Sequence, residues 1–493
     1  MGLSLLANLS AYDFGYLTAA ELIERTHNAL ETMQGLERHR GHFYNWYDTR
    51  SLKPLPPLYV SSVDSGNLAC HLLTLRPGLL ALADASILAP RCFEGLRDTA
   101  ALIGSTAPEV DSLRGDIESH CQSPPATASA AVLALERLAA RALQIEAQPW
   151  AQALARQCRA AVEELTLLPS EQLMSLRELA GLDNEAGARA RERVGTLERL
   201  ARQAGELARM EYGFLVDKAR RLFAIGYNVA EHRLDPSCYD LLASEARAAS
   251  FVAIAQGQLP QESWFALGRL LTSAAGEPAL LSWSGSMFEY LMPLLVMPTY
   301  ENTLLDRTCR AAVHRQIAYG RECGVPWGMS ESGYNMLDAA LNYQYRAFGV
   351  PGLGLKRGLL EDVVVAPYAS ALALMVAPEA ACANLQRLAA AGLEGRFGFY
   401  EAIDYTASRL PRGPGDGTSR GVVIRSFMDG MASGIAARTS TTARRSDRPA
   451  TRNAASIRLR RAGPCSPALA SRHAPVRRWR PWIETWFAAR TRS

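Results

Sequence analysis

The chain has 493 residues and a mass of 53.7 kDa, room for two or three domains or one large domain with an insertion. With 48% hydrophobic and 21% charged residues it is neither a disordered chain nor a membrane bundle, and no stretch reaches the ~18 uncharged apolar residues of a membrane span. The net charge of +4 is uneven: residues 432–493 hold 14 Arg against Asp447 and Glu484, and subtracting their +12 from +4 leaves −8 for residues 1–431.

That mildly acidic body gives no electrostatic reason to expect a nucleic-acid partner. The most apolar stretch, from Ala279 to Tyr300, is interrupted by Glu289, Pro293 and Pro298. The N-terminus lacks a basic signal region, so the sequence as written reads as soluble and cytoplasmic.

In chain order, Met1 to Leu9 and Thr18 to Met33 read as helices, the second opened by Thr18 with Glu21 three residues on. From Gly35 to Asn67, prolines and mixed polarity exclude a regular helix, and a long ordered loop of this kind is uncommon unless functional. A short helix from Leu68 to Leu75 should stop at Pro77 and Gly78. Residues 126–212 carry apolar positions at helical spacing, punctuated by Pro149 and Pro169, and read as two or three long amphipathic helices in an inserted arm.

From residue 213 to 431 the sequence reads as a dense catalytic region. Helical runs are expected at Tyr239 to Gly257, Trp264 to Ala274, Thr303 to Cys323, Glu361 to Met375 and Glu379 to Ala391. The glycines of FGVPGLGLKRGL follow no strand pattern, so a nucleotide loop is not expected there. Strand-like alternation is sparse, and the repeated helix–loop–helix units point to an all-α domain, a toroid of helix pairs. Residues 432–493 have no apolar periodicity and no Lys; they read as an unstructured, Arg-rich tail translated out of frame.

Nine dispersed cysteines with no CxxC pair suggest reduced, mostly buried thiols, and the eight histidines form no metal-binding cluster. Neither a metal nor a cofactor is expected. The candidate chemistry lies in three glutamates among aromatics: Glu289 in SWSGSMFEYLMP, Glu331 in PWGMSESGYN and Glu401 in RFGFYEAIDYT. Partial desolvation there can raise a carboxyl pKa toward that of a general acid, and aromatic faces suit sugar rings. Two carboxyls across a cleft are the minimum for cleaving a glycosidic bond. Trp283 and Trp327 could stack on sugars. Asn45, Trp46, Tyr47, Asp48, Asp64 and Asn67 on the N-terminal loop, with Asn335, Tyr343 and Gln344, could bond hydroxyls. A triad built on Ser330 has only His232 and His314 to draw on, both in ordinary helical contexts.

The strings YDFGYLTAAELIERTHNALETMQGLERHRGHFYNWYDT, LPPLYVSSVDSGNLACHLLTLRPGL, SWSGSMFEYLMP, VPWGMSESGYN, FGVPGLGLKRGL and GRFGFYEAIDYT closely resemble the cyclic β-1,2-glucan synthases. Specifically, residues from near 1 to about 428 resemble their middle, glucoamylase-like cyclisation domain. The resemblance implies an (α/α)6 toroid, with residues 1–110 supplying N-terminal helices and an aromatic substrate loop. It also implies retaining transglycosylation that closes a linear β-1,2-glucan, with Glu331 as acid/base, Glu401 as nucleophile, and Glu289 and Tyr400 among the sugar-binding residues.

Family members are inner-membrane enzymes with a chain-extending module before this domain and a phosphorylase-like module after it, both expected partners. Where the family continues with a His-His-Gln-Gly-Met run, this sequence has FMDGMASG. Two alternatives stay open: an endo-β-1,2-glucanase on the same scaffold, and a glucan-binding remnant without turnover.

Overall fold

The structure, a computed structural model, describes residues 1–425 apart from Pro90, 105–106, 146–147, Ala275, 340–341, Arg396 and 411–420. The Arg-rich segment 432–493 lies outside the described residues. The chain divides into two units. One comprises residues 1–215, 225–235 and 255–258; the other comprises 216–224, 236–254 and 259 onward.

The first unit is built on α1 (Gly2–Asp13), α2 (Ala19–Gly35) and α3 (Ser62–Ala81). Thr18 caps α2 reciprocally, its hydroxyl taking the Glu21 N–H while Glu21 Oε2 takes the Thr18 N–H at 2.9 Å. Helix α3 starts earlier and ends later than its sequence suggests. Ser61 caps it by accepting from Asp64 N at 3.2 Å, so the polar run to Asn67 is a helix start rather than a loop. It also runs through Pro77 to Ala81. Gly78 there lets α1 lie close, since a Cβ would stand 2.4 Å from Leu9 Cδ2. The loop ahead of α3 holds a hairpin of Arg38–His39 with His42–Phe43, and Tyr59–Ser61, which pairs with Gly226–Asn228.

The remaining helices of this unit are α4 (Cys92–Ala101), α5 (Pro108–Gln122), α6 (Ala128–Leu143), α7 (Pro149–Leu165), α8 (Leu176–Ala180) and α9 (Glu185–Leu207). Leu96, Leu113, Leu135 and Leu154 bring α4 to α7 into one core. Pro149 occupies the first turn of α7, where its missing N–H is harmless. Helix α9 packs along α2 and α3.

The second unit carries α10 (Ala246–Ala255), α11 (Glu262–Ala266), α12 (Met287–Leu291), α13 (Leu304–Glu322), α14 (Pro367–Ala373) and α15 (Pro378–Leu388). Met287, Tyr290, Leu291, Val313, Met329 and Ala369 form its centre. Two expected helices are partly strand. After α11 the chain turns into Leu271–Ala274, paired with Glu277–Leu280; and Val364–Val365 precede α14, whose start is fixed by Pro367. β-branched Val363, Val364 and Val365 favour the pleat over the helix.

Five short strands of this unit position Glu331 and Glu401: β1 (Ser332–Leu337), β2 (Tyr343–Arg346), β3 (Val364–Val365), β4 (Ala402–Asp404) and β5 (Val422–Ile424). β1 and β2 are antiparallel, with Gly333 opposite Tyr345; β4 lies between β3 and β5, also antiparallel. The helix-dominated class read from the sequence holds, with small sheets set among the helices. Among the described residues no helix is long and apolar enough to cross a membrane, and the eight cysteines are free thiols.

Candidate active site

Glu289 sits in the first turn of α12, in a capping box with Ser286, and is 2% exposed. Its Oε2 accepts from the hydroxyls of Ser282 at 2.8 Å and Ser284 at 2.7 Å, and from the Ser286 N–H at 3.2 Å. The Ser284 N–H reaches its Oε1 at 3.0 Å. The carboxylate expected to bind sugar is thus spent on its own serine-rich loop, which satisfies a buried charge. The glycines of FGVPGLG serve the same loop. A Cβ on Gly349 would stand 1.8 Å from Ser284 O, and one on Gly354 would stand 2.6 Å from Gly285 N.

Glu331 lies one residue before β1 and is half-buried. Its main chain is pinned from two helices. Tyr368 of α14 donates to the Glu331 carbonyl at 3.0 Å, while Ser330 Oγ accepts from the Phe288 N–H of α12 at 3.0 Å and meets Tyr368 Oη at 2.7 Å. Ser330 is therefore a buried anchor, and His314 pairs with Glu277 instead; no triad forms on Ser330 among the described residues. The Glu331 side chain accepts from Tyr345 Oη at 3.1 Å. Burial, and then the Glu289 charge, raise its pKa above the ordinary carboxylate value, against a weaker pull from the Tyr345 bond and Lys356.

Glu401 lies one residue before β4, and its Oε1 accepts the Gly333 N–H at 3.2 Å. Gly333 is the second residue of β1, and Tyr345 stands across from it on β2. The phenols of Tyr345 and Tyr368 are both pushed up, first by burial and then by charges that include Glu331 and Glu401. The two glutamates therefore head adjoining strands and share one neighbourhood.

Behind them, β1 and β4 are locked by Asp404. It is fully buried, accepts the Asn335 N–H at 3.0 Å, and takes the Arg409 guanidinium at 2.7 Å. Arg409 also bonds Asp362 and lies 4.9 Å over the Tyr334 ring. Asn335, expected to meet substrate, gives its side-chain amide to the Arg409 carbonyl at 2.7 Å.

The other expected contacts divide. Trp283 is 60% exposed and free to stack, whereas Trp327 is 3% exposed. Trp327 is corrected to a core residue, because its backbone is bonded to Asn384 and its indole packs in the apolar centre. Tyr343 packs half-buried beside Phe348, Gln344 pairs with Tyr334 across the strands, and Tyr400 lies half-buried with Arg425 5.8 Å over its ring.

In the first unit, Asn45 Oδ1 accepts from Ser61 N, Tyr47 donates to the Glu37 carbonyl, and Asp48 caps its own turn through the N–H groups of Arg50 and Ser51. Trp46 is 49% exposed, and Asp64 and Asn67 lie in the first turns of α3. Sequence reasoning missed Tyr345, Tyr368, Gly333, Asp404 and Arg409. The alternation in YQYR is the one signal that could have drawn attention to Tyr345.

Paired carboxyls among aromatics, on a helix-dominated frame, are the arrangement that glycoside-processing enzymes use. Comparison with known proteins agrees in class. Residues 238–432 match a family described as "Putative glucoamylase". The chain is 40% identical over 445 residues to the cyclic beta-(1,2)-glucan synthase NdvB of Rhizobium meliloti (strain 1021), covering 84% of this chain and 15% of that one. The resemblance to cyclic β-1,2-glucan synthases read from the sequence strings therefore holds along most of the chain, which spans about 15% of that relative's length.

Among solved structures it is similar to an endo-beta-1,2-glucanase from Chitinophaga pinensis in complex with sophorotriose and glucose, with a TM-score of 0.45, 11% identity and coverage of 88% and 81% of the two chains. It is also similar to an endo-beta-1,2-glucanase from Talaromyces funiculosus with sophorose, with a TM-score of 0.39, 12% identity and coverage of 87% and 90%.

Proposed function

We propose that this chain carries the ring-closing step of a cyclic β-1,2-glucan synthase, a retaining transglycosylation on a linear β-1,2-glucan. The observation that carries the reading is the single strand pair linking both acids: Gly333 holds Glu401, and Tyr345, across from it, holds Glu331.

In the first half-reaction Glu331, whose carboxyl pKa is raised by burial, gives its proton to the glycosidic oxygen as the C1–O bond breaks. Glu401 attacks C1 from the opposite face to form a glycosyl-enzyme. In the second, a hydroxyl at the non-reducing end of the same glucan attacks C1. Glu331 takes its proton, and the Glu401 ester bond breaks. The charge of Glu289 acts in the same sense as burial on Glu331, raising its pKa. Trp283 offers the exposed face on which a glucose ring stacks. On this reading the chain works beside modules that extend and trim the glucan in a longer membrane enzyme.

The test is product analysis on linear β-1,2-glucan. Cyclic products support the proposal. Linear, reducing oligosaccharides favour a glucanase, and glucan binding without turnover favours a remnant.

A further inference from the structure

Tyr345 is the residue through which strand geometry and carboxylate chemistry meet. It lies in β2 opposite Gly333, and strand alternation puts the residue two before Gly333, Glu331, toward the same face. Its hydroxyl donates to Glu331 Oε2 at 3.1 Å, while the Gly333 N–H is turned to Glu401 Oε1 at 3.2 Å. Gly333 has no side chain, and a Cβ there would meet Glu401 Cγ at 3.6 Å. Tyr345 is 58% exposed as a whole while its hydroxyl is desolvated against Glu331, so ring packing does not account for its position.

We propose that Tyr345 is a positioning residue for this carboxylate pair: its hydroxyl donates to Oε2 of ionised Glu331, and that bond weakens when the carboxyl takes up its proton. The inference rests on the acid/base role proposed for Glu331. A phenol donating to a carboxylate stabilises the charged form, because the acceptor carries a full negative charge. Burial and the Glu289 charge act in the opposite sense, and Lys356 acts with the phenol. The charged and titratable groups facing Glu331 are therefore Glu289 from α12, Tyr345 from β2, Lys356 from the following loop and Tyr368 from α14, with Glu401 and Glu245 bearing on Tyr345 itself. Tyr345 opposes the desolvation, so the proton of Glu331 can be returned and taken again within one catalytic cycle.

The experiment is Tyr345→Phe in the full chain, read in two ways. First, glutamate carboxyls are labelled with 13C and titrated without substrate, the Glu331 resonance being assigned by its loss in Glu331→Gln. The Glu331 midpoint should rise by about half a unit to one unit in the phenylalanine variant. Second, the basic limb of the kcat/KM profile on linear β-1,2-glucan should move up by the same amount. A Glu331 midpoint unchanged in folded Tyr345→Phe overturns the inference. Because the titration needs no turnover, it remains decisive even if the wild-type chain proves inactive, a result that would sink only the proposed function. A shifted midpoint with an unshifted kinetic limb would overturn the catalytic half of the inference. Tyr345→Trp, which keeps an aromatic ring but removes the hydroxyl, should show the same rise; a wild-type midpoint there would also overturn it.

Discussion

The backbone N–H of Gly333 donates to Oε1 of Glu401 across 3.2 Å, two residues beyond Glu331. One peptide group thereby sets the position of one glutamate relative to the strand that the other glutamate heads.

Gly333→Ala probes that arrangement without unfolding it. The glycine has no left-handed φ, and an added Cβ would stand 3.6 Å from Glu401 Cγ and 3.4 Å from Ile424 Cγ2, ordinary contact distances. The methyl would lie against Glu401 and Ile424. The melting temperature should stay within a few degrees of wild type, and kcat on linear β-1,2-glucan should change by less than about 3-fold, because neither contact pushes Glu401 from its place. Circular dichroism melts and initial rates check both halves.

The two tryptophans should separate cleanly. Trp327 is core, so Trp327→Ala should destabilise by about 3–5 kcal/mol in urea unfolding. Trp283 is mostly open to solvent, so Trp283→Ala should leave stability within about 0.5 kcal/mol of wild type and instead raise KM for glucan. If Trp283→Ala leaves KM unchanged, the stacking role is wrong.

Arg409→Met leaves Asp404, which is fully buried, without its guanidinium partner, and leaves Asp362 with Arg346 alone. Breaking a buried pair from one side costs about 3–5 kcal/mol. The urea midpoint of the transition should fall accordingly. Activity should drop with it, because Asp404 also holds Asn335 and so ties β1 to β4.

A further expectation concerns stability against pH. Glu331 has its folded pKa raised above the ordinary value of 4.5, so the folded chain holds that proton more tightly than the unfolded chain. Its contribution is full below about 4.5 and is lost as pH rises through the folded value. Glu331→Gln removes this dependence. The variant should therefore gain on wild type as pH increases from 4.5 toward 8, in paired thermal melts, and an unchanging difference would contradict the burial argument.

Much of this was legible in the sequence wherever one residue acts locally. Thr18 with Glu21 announced a helix start, Thr303 another, and aromatics around Glu331 and Glu401 marked both acids. What could not be read depends on pairing between distant segments. Glu289 looks like its two counterparts in composition, yet the serines at 282, 284 and 286 fold back on it. Trp327 looks like a sugar platform until Asn384, 57 residues away, is seen to hold its backbone in the core. Tyr345 gains its meaning only from the register that sets it opposite Gly333. The run from Trp264 to Ala274 misled because its amphipathic residues serve a hairpin with Glu277–Leu280 rather than a helix face.

The most direct measurement is mass spectrometry of the products formed from linear β-1,2-glucan by the wild-type chain, Glu331→Gln and Glu401→Gln. The account predicts rings, each lacking the water of a reducing end, from wild type, and a loss of about 10²–10⁴-fold or more in both variants. Ring formation at the wild-type rate by either glutamine variant would contradict it.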